Sequence, residues 1–154
     1  MELNLTSKDI ISMKPGLTIQ EIQNLLSDTL FLEGRDKFEQ VRMEIFEQLK
    51  KEKRLIVFHL KEKWFRMYQN GDKTEEYREP IEKWILYIAK HGYQLRLQDG
   101  IVAELDLAYP KKDDFSRKLF FQVENFTVGF GDMRLGAEPG KVYYITKMGR
   151  RLLV

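Results

Sequence analysis

The hydrophobic period of this chain changes once, near Lys50–Arg54, and that change limits what it can fold into. Before it, apolar residues recur every three or four positions, the spacing of one helix face. "LTIQEIQNLL" opens with Thr18 and Glu21 at capping-box spacing, followed by Ile19, Ile22, Leu25 and Leu26 at helical intervals. "GRDKFEQVRMEIFEQLKKEK" places Phe38, Val41, Ile45 and Leu49 on one stripe. Its cations gather at the C-terminal end, where they complement the helix dipole. Pro15-Gly16 and Gly34 punctuate these pieces. Residues 1–53 therefore read as a helical N-terminal extension of two or three helices.

After the change the signals are those of strands joined by short helices. "RLIVFHL" suits a buried strand. A brief helix through Trp64 and Tyr68 closes at Asn70-Gly71, and "KTEEYRE" fits a further strand. Pro80 opens the helix "PIEKWILYIAKHG", for which Gly92 is the expected stop. In "YQLRLQDGIVAELDLAY", Asp99-Gly100 has the character of a hairpin turn. "RKLFFQVENFTVGFG" and "KVYYITKMG" supply two more strands. Five or six strands with short helices in residues 54–154 predict an α+β chain whose second part is a mixed sheet or small barrel.

The bulk numbers exclude several classes. With 43% apolar and 32% charged residues the chain is neither disordered nor a membrane protein, and no apolar run approaches the ~20 residues of a spanning helix. The start, "MELNLTSKDI", lacks the basic and apolar regions of a secretory signal, so a cytoplasmic location is expected. Cysteine is absent, which removes disulfides and thiolate metal sites. A net charge of +2 does not announce a nucleic-acid binder. The distribution says more: "HLKEKWFRMY" interleaves Lys61, Lys63 and Arg66 with Trp64, Phe65 and Tyr68, and Lys147, Arg150 and Arg151 crowd the C-terminus. Cations beside aromatic faces suit phosphates and stacked bases, although a basic outer helix face gives the same pattern.

A turn and opposite charges crowd together in "NGDKTEEYREP". In a regular strand, residues two apart share a face, so Glu76 and Arg78 can pair directly. Lys73 has the opposite parity and joins them only if the chain is still turning from Gly71, where glycine accepts positive φ. This stretch resembles the signature of the ASCH domain family, Gly-x-Lys-x-x-Glu-x-Arg, in Gly71, Lys73, Glu76 and Arg78. "HLKEKWFRMYQNG" is similar to that family's leading strand and helix, with Lys61, Lys63 and Trp64 near the places of its basic and aromatic residues. "FTVGFGDMRLGAEPGKVYYITKMG" is similar to its closing strands. The resemblance covers about residues 54–154 and implies a PUA-like β-barrel that binds RNA or a nucleotide in a cleft lined by the motif.

On that resemblance the ligand-binding candidates are Lys61, Lys63, Gly71, Lys73, Glu76 and Arg78. Lys73 and Arg78 would meet phosphate or a base edge, and Glu76 a base amino group or Arg78 itself. Trp64 or Tyr68 offers a ring for stacking. The alternative is a small hydrolase, of acetylcytidine amidohydrolase or ribonuclease type, with Lys73 and Glu76 as acid and base. Amidohydrolase members carry threonine where this chain has Glu76, and their later glutamate has only Glu124 as a candidate here. His59 and His91 show no metal-ligand spacing, and neither metal nor cofactor is expected. "GFGDMRLG" precedes no helix and reads as a glycine-rich strand connection. The N-terminal helices, with Leu30, Phe31 and Leu32 as an apolar knot, either complete the core or meet a protein partner or a second copy.

Overall fold

The structure, a computed structural model, describes residues 16–97 and 100–153, the side chains of 92–97 excepted. Two helices come first. The Thr18 hydroxyl accepts from the Glu21 amide while the Glu21 carboxylate accepts from the Thr18 amide, and this capping box starts α1 (Ile19–Glu33). Gly34 breaks it, and α2 (Arg35–Lys51) follows. Residues 1–15 lie outside the described residues, and so does any earlier helix.

The rest alternates as β1 (Leu55–Leu60), α3 (Glu62–Asn70), β2 (Glu75–Arg78), α4 (Glu82–Leu97), β3 (Val102–Leu107), β4 (Lys118–Phe130) and β5 (Val142–Arg151). The five strands form one sheet in the order β1-β3-β4-β5-β2, with β1 and β3 parallel and the other pairs antiparallel. The fold is α+β, four helices against a sheet curled into a half barrel. Its two faces carry separate cores. Inside the curl, Ile56, Phe58, Leu105 and Phe121 pack with Phe65 and Tyr68 of α3. Outside it, Leu55, Val102 and Phe120 join Ile22, Val41 and Ile45, so α1 and α2 share a core with the sheet.

Two sequence expectations are corrected. Gly92 does not stop the helix, since α4 runs on to Leu97 and takes all of "YQLRL" into helix. Helical backbone at Gly92 does not use the positive φ that makes glycine a stop signal. No hairpin forms at Asp99-Gly100, because helix precedes it and β3 pairs with β1 and β4; Asp99 itself lies outside the described residues.

The sheet also stops short of closure, because its edges β1 and β2 share no ladder. Arg54 and Leu60 carbonyls bond to the β3 side, so Leu55, Val57 and His59 face the open edge. Side chains take that edge instead. The Leu55 carbonyl accepts from His91 Nε2 at 3.0 Å, and the Val57 amide donates to the Tyr87 hydroxyl at 2.9 Å. Arg78 Nη2 reaches the His59 carbonyl at 3.4 Å. A seam of three side chains replaces the missing ladder, which is how a small sheet covers an exposed edge.

Candidate functional site

The site lies at the end of this seam, and a tight reversal places its lysine. Gly71 ends α3 at φ +83°, and the Asp72 and Lys73 amides both donate back to the Met67 carbonyl. The chain is thus still turning when it reaches Lys73, the condition the parity argument required. Lys73 comes to lie under α3 beside Glu76 and Arg78.

Glu76 is the hub. It is 4% exposed, and each carboxylate oxygen has a donor: Tyr68 Oη at 3.0 Å from Oε1, Arg78 Nη1 at 2.8 Å from Oε2. Lys73 Nζ stands 3.9 Å from Oε1 and donates to the Leu135 carbonyl. The Lys73 ammonium also faces the rings of Trp64, Tyr77 and Tyr68 at 4.8, 5.0 and 5.5 Å, a favourable setting for a desolvated cation. Burial pushes the Glu76 carboxyl up, with Arg78, Lys73 and the Tyr68 hydroxyl pulling it back. Burial pushes Lys73 down, opposed by Glu76. The Tyr68 hydroxyl is driven upward by burial and the Glu76 charge, so it stays a donor.

Arg78 keeps a face toward solvent, its side chain 24% exposed. Its guanidinium lies over Phe58 and Trp84, 5.1 and 5.2 Å from the ring centres. The β4–β5 connection supplies the opposite wall. The Asp132 amide donates to the Tyr77 hydroxyl, and a 3₁₀ turn, Met133–Leu135, leads to Gly136 at φ +104°. A side chain at Gly131 would strike Ala137 and Tyr77, and one at Gly136 would press on Trp64.

These parts enclose a cleft of about 290 Å³ lined by Lys61, Lys73, Arg78, Glu76, Trp64 and His59 among others. Three cations face one carboxylate, so the cleft is electropositive. A second hollow, about 450 Å³, shares His59 and Arg78 with it and adds Lys83, Trp84 and Tyr109. Tyr109 is 83% exposed and stacked on His59 at 4.4 Å, a flat aromatic platform beside the cations.

The sequence candidates are only partly brought together. Lys61, Lys73, Glu76 and Arg78 line the cleft. Lys63 does not; it is exposed, its ammonium 4.7 Å from the centre of the Trp64 ring. Gly71 shapes the turn and does not line the cleft. Tyr68 is 2% exposed and cannot stack on a base; its part is the bond to Glu76. Glu124 is exposed and pairs with Lys147 outside the cleft. Arg150 and Arg151 belong to β5, and Arg150 bonds to Gln20 of α1. Sequence reasoning missed His59, Tyr77, Tyr109 and the Leu135 carbonyl. Only Tyr77, beside the motif, had a local signal. No protein-family model, curated protein or solved structure matches this chain at a significant level.

Proposed function

We propose that this protein binds RNA or a nucleotide through the cleft at the β1–β2 seam, as a PUA-like domain of the ASCH type. The carrying observation is Arg78: paired to buried Glu76, set over two rings, and partly exposed where an electropositive cleft meets an aromatic platform. A guanidinium fixed in one orientation binds phosphate oxygens at little entropic cost. In this reading Arg78 and Lys61 meet phosphate, and Tyr109 with His59 receives an unpaired base. Lys73 and Glu76 position rather than touch. Lys73 holds the loop wall through Leu135, and Glu76 orients Arg78.

Titration with short single-stranded RNA and with cytidine nucleotides, at fixed salt, tests the reading. Arg78→Ala should lower affinity by about 10–100-fold, the worth of one or two charge-assisted hydrogen bonds. Lys63→Ala, outside the cleft, should lower it far less. Equal affinity of Arg78→Ala and the parent would refute the cleft.

The hydrolase alternative, with Lys73 and Glu76 as the reacting pair, draws on the lowered pKa of Lys73. Against it, the ammonium donates to Leu135 and both Glu76 oxygens are engaged. Release of acetate from acetylated cytidine, or cleavage of RNA, abolished by Lys73→Ala would decide for it.

A further inference from the structure

A third cavity lies between α2 and α4 on the outer side of the β1 edge; it shares no residue with the cleft and only Val57 and Tyr87 with the hollow beside it. Its volume is about 320 Å³, within the range of small-ligand sites. The floor is apolar, made by Met43, Phe46, Leu55, Val57 and Phe115. The walls and rim carry five lysines against two glutamates. Both glutamates are already matched: Glu47 pairs with Lys112 at 2.6 Å, and buried Glu104 lies 3.5 Å from Lys118. His91 is also committed, with both ring nitrogens on carbonyls, those of Tyr87 and Leu55. Lys50, Lys53 and Lys90 remain, and none makes an ion pair among the described residues.

Lys53 adds an independent observation. Helix α2 ends with the Arg54 amide bonded to the Leu49 carbonyl and the Lys53 amide to that of Lys50. This is the Schellman pattern, whose left-handed residue is usually glycine. Here that residue is Lys53, at φ +60°. A side chain in this conformation is strained, and strain retained where glycine would relieve it points to use of the side chain. Lys53 is among the residues that line the cavity.

We propose that this cavity is a second binding site, for a compact molecule with a flat apolar body and a phosphate-type anion. The apolar body rests against Phe46, Phe115 and Val57, and Lys50, Lys53 and Lys90 hold the anion. Lysine binds phosphate as a point charge without needing the fork geometry of arginine. The site rests on none of the residues invoked for RNA or nucleotide binding in the cleft.

The test uses the full chain with labelled methyl groups, titrated at constant ionic strength with phenyl phosphate and, separately, inorganic phosphate. Phenyl phosphate should shift the Met43 and Leu55 methyl resonances and bind about tenfold tighter than inorganic phosphate, because only it covers the apolar floor. Lys53→Gly should weaken phenyl phosphate about five- to tenfold, with the melting temperature unchanged or raised, since glycine suits that backbone. Lys90→Ala should weaken it similarly, while Arg78→Ala leaves it unchanged. Unchanged affinity in Lys53→Gly overturns the proposal. So does a titration that moves Leu60 at the cleft but not Met43 and Leu55, or one that moves none of them. Loss of binding in Arg78→Ala assigns the probe to the cleft and overturns it too.

Discussion

Asp106 stands on β3 at 4% exposure, opposite Lys118 in the ladder and one turn of the pleat from Glu104. Its Oδ1 has no donor. Burial and the neighbouring Glu104 carboxyl push its pKa up to about 8, with Lys118 opposing. An acid whose folded pKa is raised binds more protons folded than unfolded between its two values. Its contribution to stability is therefore full below about pH 4 and is lost as pH rises toward 8. Asp106→Asn should flatten that decline and raise stability at pH 8 by about 1–2 kcal/mol, because the amide removes the buried charge that is penalised there. Urea denaturation of both proteins across this range checks it; parallel curves would show that Asp106 does not titrate there. At the residue scale, the sequence revealed what local geometry decides. Glu76 with Arg78 followed from strand alternation, and Lys73 from the turn at Gly71. Tyr109 and the Leu135 carbonyl were illegible because they come from loops far along the chain, with no periodic pattern to place them.

The β4–β5 connection illustrates how an element can be recognised while its work is missed. Its glycines marked a strand connection, and it is one. What composition did not show is that Gly131 gives room to Tyr77 and Ala137, and Gly136 to Trp64, so that Leu135 can offer its carbonyl to Lys73. A Cβ on Gly131 would sit 2.6 Å from that of Ala137. Gly131→Ala should cost about 1–3 kcal/mol of stability, the usual price of overpacking, and weaken ligand binding by moving the wall. Thermal melts and the RNA titration read the two effects; a variant with parental values in both would mean that the loop yields freely. Helix α4 shows the opposite failure. Gly92 looked like punctuation, yet one glycine inside a helix costs only about 1 kcal/mol relative to alanine, and the element continues through it.

At the scale of the molecule, the change of period near Arg54 marks a change of element type rather than the edge of a core. Val41 of α2 is fully buried in a cluster that includes Leu55, Val102 and Phe120 of the sheet. Val41→Ala should remove about 1–3 kcal/mol from one cooperative transition seen equally by far-ultraviolet and tryptophan signals. Both tryptophans, Trp64 and Trp84, lie beyond α2 in sequence, so separate midpoints would show helices that melt independently. The helix and strand classes were legible because each has its own period; the half-open curl was not, because it depends on which side chains reach the β1 edge. That edge has a mechanical meaning. A backbone ladder is registered along its length, so each bond steadies the next. His91, Tyr87 and Arg78 arrive from two different elements and can let go one at a time. The shell is therefore stiff across the sheet and compliant along one line. An anion gripped by Lys61 on one bank and Arg78 on the other would act as a brace across that line, so occupancy would be felt as rigidity of the whole shell.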